Sequence, residues 1–153
     1  MKITTLALAG ALVFGAQSAL AADTAGMMKT INGFIDASLA GKPLAGLVTA
    51  SPSMIDEVPP YHWSGPGAAK AWMADVGAWA RTNGVTELGV RLGAPTRVEQ
   101  TGSHGYVVTP AVVTYNQKGK AEREEGAMVF ALDRRRSGWR VASLAWTGGA
   151  TKP

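Results

Sequence analysis

Two neighbouring acids, Asp56 and Glu57, end the short run "SMIDE", and His62 follows six residues after Asp56, beyond Pro59 and Pro60. A carboxylate beside a neutral imidazole can exchange a proton near neutral pH, so Asp56 and His62 are the candidates for general acid–base work. The prolines lack N–H groups and restrict the backbone, which gives the loop rigidity and no chemistry of its own. Alternation puts Met54 and Asp56 on one side of the run, and Ser53, Ile55 and Glu57 on the other. A register shift of one residue would exchange the acids, so the pair is the candidate, not either member. The competing reading makes Asp56 a solvated strand end or a cap for the Pro-Pro loop.

Candidates for contacting a ligand are Glu57, Tyr61, Trp63, Tyr106, Tyr115, Glu124 and Trp146. The rings combine a flat apolar body with a polar tip, and Trp63 and Trp146 in particular suit a cavity mouth. In "AEREEGAMVF", Glu124 shares parity with Met128 and Phe130, so if the bulky side is the interior it points inward and needs a partner or a raised pKa. A bulge at Gly126 would reverse that parity. Trp72, Trp79 and Trp139 read as core, and His104 in "TGSHG" as solvated. With 2 histidines, no cysteine and neither HxH nor HExxH spacing, no metal site or cofactor is expected. Phosphate-cradling glycine loops and a GxSxG elbow are missing too.

The elements that must hold these residues follow from periodicity. In "MMKTINGFIDASLAGK", Met28, Ile31, Ile35 and Leu39 recur at helical spacing until Gly41 and Pro43 stop the pattern. A second short helix is expected from Pro43 to about Thr49, then a break at Ser51-Pro52 and a strand over "SMIDE". Ser64 can cap the next helix and Pro66 suits its first turn. Trp72, Val76, Trp79 and Ala80 then share a face, and Asn83-Gly84 closes it. From Glu87 the period becomes two: "ELGVRLGAPTRVEQ", "GYVVTPAVVTYNQ", "AEREEGAMVFALD" and "GWRVASLAWTG" alternate between short polar turns. Helices followed by an antiparallel meander predict an α+β domain with the helices on one face of the sheet. Gly93, Pro95, Pro110 and Gly126 are places for that sheet to curl and leave a concave interior.

The first residues, "MKITTLALAGALVFGAQSALAA", have the cation, apolar run and small-residue end of a secretory signal peptide. Residues 1–22 are read as leader and 23–153 as one domain, periplasmic or secreted from a bacterium, with no membrane association after cleavage. The apolar run is shorter than the roughly 20 residues that span a bilayer. The chain has 15 Lys plus Arg against 11 Asp plus Glu, a mild basic excess whose clearest cluster, Arg134 to Arg136, suits a solvated hairpin. That pattern is too narrow for a nucleic-acid surface. Without cysteine, stability must come from the core.

The order helix, helix, strand, acid-containing loop, helix, four-strand meander resembles the NTF2-like superfamily, especially its SnoaL-like and ketosteroid-isomerase-like branch. The stretches that carry it are "IDEVPPYHWSGPGAAKAW", "KGKAEREEGAMVFAL" and "GWRVASLAWTG". The resemblance implies a cystatin-like cone, with a curved antiparallel sheet wrapped around N-terminal helices. It also implies that Asp56 matches the general base of the isomerase branch. Those isomerases carry an oxyanion-holding tyrosine on the first helix; Phe34 is the aromatic there in this chain, with Tyr106 or Tyr115 as substitutes. Three functions stay open: a module binding a small, mostly apolar molecule; a small isomerase, dehydratase or cyclase with Asp56 as base; and a non-catalytic interaction domain. A homodimer is compatible with each.

Overall fold

The computed structural model describes residues 13–149, with side chains from Asp23 onward. The expected signal peptide and its cleavage point lie outside the residues described in full. Helix α1, Val13–Leu39, buries Met27, Ile31, Phe34 and Ile35, spaced so that each turn adds to one apolar stripe. Leu39, expected on that stripe, is 40% exposed at the helix end. No helix among the described residues is long and apolar enough to cross a membrane.

The second short helix is absent. Leu44 to Leu47 form a turn closed by Leu47 N–H donating to the Leu44 carbonyl at 2.9 Å, and the chain enters β1, Val48–Ile55, directly. Ser51 and Pro52 do not break the strand but lie where its register shifts against β7, Gly138–Gly148. A proline without an N–H is tolerated at such an irregularity. Ser64 is not a helix cap either. It ends an unexpected strand, β2, His62–Ser64, which pairs antiparallel with β1. Helix α2, Ala68–Asn83, starts after Gly67 in a left-handed conformation, and Gly84, with φ 66°, closes it by donating to the carbonyls of Ala80 and Arg81.

The segment "ELGVRLGAPTRVEQ" forms two strands, β3, Val85–Leu92, and β4, Arg97–Thr101. Both pair with one edge of β5, His104–Gln117. The changeover lies opposite Pro110, whose carbonyl accepts from Gly93 N–H at 2.8 Å. There the fully buried Thr109 hydroxyl donates to the Gly93 carbonyl at 2.8 Å. Strand β6, Lys120–Arg135, pairs with β5 in unbroken register from His104↔Asp133 to Gln117↔Lys120. Gly126 therefore introduces no bulge against β5, and Glu124 keeps the parity of Met128, Phe130 and Leu132, all buried.

The sheet runs β2-β1-β7-β6-β5-β3 with β4 beside β5, antiparallel except for β1 and β7. Phe34 of α1 stacks on Trp72 of α2, centroids 5.8 Å apart, and meets Phe130 of β6 edge-on at 6.2 Å. These rings join both helices to the concave face, an arrangement worth about 0.5–1.5 kcal/mol per pair beyond the area buried. The product is an α+β fold, a curved and unclosed sheet wrapped over two helices.

Candidate functional site

Between the helices and the concave face lies a cavity of about 310 Å³. Ile35 and Leu39 of α1, Met73, Val76 and Trp79 of α2, and Leu88, Val90, Val113, Met128 and Leu144 of the sheet make its walls apolar. One end is polar. There Asp56 and Glu57, just past β1, meet Tyr115 of β5, Glu124 of β6, Trp146 of β7 and Trp72 of α2.

The polar groups form two hydrogen-bonded sets. Asp56 Oδ2 accepts from Trp72 Nε1 at 2.8 Å, and Asp56 Oδ1 accepts from Val58 N–H at 3.3 Å. Burial pushes the Asp56 carboxyl above its ordinary value and outweighs these donors and the Glu57 N–H, which act the other way. In the second set, Tyr115 donates its hydroxyl to Glu124 Oε1 at 2.5 Å, Glu124 hydrogen-bonds Glu57, and Trp146 Nε1 donates to Glu57 Oε1 at 3.1 Å. Glu57 rises to about 7, first through burial and then through its hydrogen bond with Glu124. Two carboxyls in contact disfavour double ionisation, which adds to the rise at Glu57. Burial, followed by the bond to Glu124, also raises the Tyr115 phenol.

Glycines on the paired strands β6 and β7 leave room for this. A side chain at Gly148 would collide with Glu57 Oε2 and crowd Trp146 Nε1. One at Gly126 would strike the Thr147 carbonyl and the Trp146 ring. Each glycine is where the backbone approaches too closely for a Cβ.

Of the expected site residues, the structure brings Asp56, Glu57, Tyr115, Glu124 and Trp146 to the cavity. It does not bring the others. His62 is exposed, opposite the outward-facing Ile55, and bonds Ser53 Oγ at 3.1 Å. It cannot partner Asp56. Tyr61 is 58% exposed, and Tyr106 lies on the other face of β5 beneath Arg97, 5.5 Å from its centroid. Trp63 is buried in the core, not at a mouth, and donates Nε1 to Asp75 Oδ2 of α2 at 2.8 Å. Trp72 and Trp79, read as core, line the cavity as well. A buried indole must place its N–H somewhere, and acids close by in the sequence were the available signal for Trp72.

Among the described residues no group of three or more His, Cys, Asp or Glu side chains could hold a metal ion. Among the described residues the ion pairs, such as Arg97–Glu99, Lys120–Glu122 and Arg134–Asp23, include none of the cavity acids. Arg134 also lies over the Trp139 ring, so the basic hairpin is occupied in holding the far end of the sheet to α1.

No family model matches the sequence, and no curated protein does. Solved structures do match. An NTF2-like protein with a cystatin-like fold from Novosphingobium aromaticivorans aligns with TM-score 0.69 at 17% identity, over 92% of this chain and 90% of that one. A hexachlorocyclohexane dehydrochlorinase (LinA) type 2 aligns with TM-score 0.69 at 13% identity, over 86% and 88%. The S. rosetta CaMKII hub aligns with TM-score 0.63 at 12% identity, over 81% and 95%. An enzyme and a hub thus share the architecture, and the likeness speaks for the fold alone. The chain has the NTF2-like, cystatin-like fold.

Proposed function

We propose that this protein is an exported module, periplasmic or secreted, that encloses a small, mostly apolar molecule, with Asp56 and Glu57 anchoring its polar end. The observation that carries this reading is the cavity itself: about 310 Å³ of apolar wall ending in indole-braced carboxyls. That is the composition of a small-molecule site, with apolar surface for affinity and a few fixed polar groups for orientation. Export rests on the leader-like residues 1–22. A homodimer is compatible with it.

The test is fluorescence titration with N-phenyl-1-naphthylamine, an uncharged apolar dye at neutral pH, against the protein and an Ala80→Trp variant that fills the cavity. Saturable binding of one dye per chain, lost in the variant, supports enclosure. Binding that survives Ala80→Trp would refute it.

A second reading has one observation in its favour, the Glu57 carboxyl at about 7 beside a second acid in an apolar space. A group poised there serves general acid–base catalysis. Asp56 would take a proton from carbon next to a carbonyl, and Glu57 would return one to the product, His62 being out of reach. Turnover of enones or hydroxy-ketones, lost in Asp56→Asn, distinguishes this enzyme from the binding module.

A further inference from the structure

We propose that the molecule this cavity takes is an organic amine in its ammonium form, an apolar body ending in a cationic nitrogen held between Asp56 and the Glu57–Glu124 pair. This rests on the enclosure reading above and names the class of ligand.

The argument is one of charge. The cavity lining contains Asp56, Glu57 and Glu124 and, among the described residues, no Lys, Arg or His. The ion pairs among the described residues leave these acids out. The charges that bear on Asp56 and Glu57 are those of the neighbouring carboxyls. The donors they do have are neutral: the Trp72 and Trp146 indoles and the Glu57 and Val58 N–H groups, with the Tyr115 hydroxyl on Glu124. Such bonds orient a carboxylate but bring no positive charge. Three carboxyls therefore meet at the cavity with no cation beside them, Glu124 buried, Asp56 partly so and Glu57 at the solvent edge, and a carboxylate withdrawn from water without a counter-charge is costly.

An ammonium group answers each part of that arrangement. It supplies the missing charge, and a primary one has three N–H donors for carboxyl oxygens. Trp72, Trp79 and Trp146 line the same space, and indole is the ring that attracts a cation best. The apolar walls suit the carbon body. The carboxyls are not grouped to hold a metal ion, and an organic anion would meet like charge without a cation to receive it.

Calorimetric titration at pH 7.5 with three probes of one shape tests this: 2-(1-naphthyl)ethylamine, 2-(1-naphthyl)ethanol and 1-naphthaleneacetate. The amine should bind at least about tenfold more tightly than the alcohol, and the carboxylate most weakly. Asp56→Asn should reduce the amine's affinity by about tenfold and the alcohol's by less. Glu124→Gln gives the same comparison if the first variant melts early. Alcohol binding as tight as amine binding, or a preference for the carboxylate, overturns the ammonium assignment and leaves enclosure standing. No binding of any probe overturns both.

Discussion

Trp72 reaches from α2 to the end of β1 and donates its indole N–H to Asp56 Oδ2 at 2.8 Å, while its ring stacks on Phe34. One side chain thereby joins the helical core to the acid of the cavity. The two roles separate by mutation. Trp72→Ala removes both and should cost about 3–5 kcal/mol, the range for deleting a large buried aromatic. Trp72→Phe keeps a stacking ring and removes only the donor, at about 1–3 kcal/mol. It should also raise the Asp56 carboxyl further, because the donor that opposes burial is gone. Urea midpoints and an NMR titration of Asp56 check both.

Trp63→Ala should be as damaging as Trp72→Ala, about 3–5 kcal/mol, since the Trp63 ring is equally buried and its loss leaves Asp75 without its indole donor. Ligand affinity of whatever folded protein remains should change little, because Trp63 does not line the cavity. A small stability loss with a large affinity loss would return Trp63 to the mouth.

Asp56 and Glu124 were legible in the sequence because each lies on or just past a strand whose alternation survives folding. The β5–β6 ladder is unbroken, so counting from Met128 to Glu124 gives the inward face. The same count on β5 separates Tyr115, in step with Val107, from the outward Tyr106. Tyr61, His62 and Trp63 resisted because parity ends with the strand. The chain reverses between Val58 and Tyr61 and pairs three residues back on β1, a return with no period of its own. Pro43 to Thr49 has the apolar content of either a helix or a strand entry, and its length does not decide. The parallel seam of β1 with β7 joins residues about 90 positions apart, as Met54 with Leu144, and leaves no local mark.

Stability should depend on pH through Glu57. Its folded carboxyl titrates at about 7 against an ordinary 4.5, so between those values the unfolded chain has released a proton that the folded chain still holds. Folding is therefore favoured at the acid end of the window, and this contribution is lost as pH rises from about 4.5 to about 7. Asp56, also raised, acts in the same sense above its ordinary 3.8. Glu57→Gln should remove its share, so the variant gains on the parent in urea midpoint as pH rises across that window. A difference that shrinks instead would contradict the raised value.

Tyr115 and Glu124 should control Glu57 from behind. Glu124→Gln removes the neighbouring charge and replaces its carboxyl with an amide that still accepts from Tyr115, so the Glu57 titration should move from about 7 toward 4.5 without reaching it, burial being the larger cause. Tyr115→Phe deprives the buried Glu124 of its hydroxyl donor and should cost about 1–3 kcal/mol. Carbon-13 titration of the Glu57 carboxyl and thermal melts read the two effects.

Helix α2 is fastened twice, and in opposite senses: it gives an N–H to β1 through Trp72 and receives one from β2 through Asp75. Sliding the helix along its axis or turning it about that axis would stretch both links together, so the α2 side of the chamber is stiff. Leu39 and Leu88, which line the cavity from α1 and β3 and are each about 40% exposed, have no comparable tie. If the cavity encloses a small molecule as proposed, guests of different bulk would be accommodated by displacement of those leucines, with selection strict at the carboxyl end and lenient at the leucines.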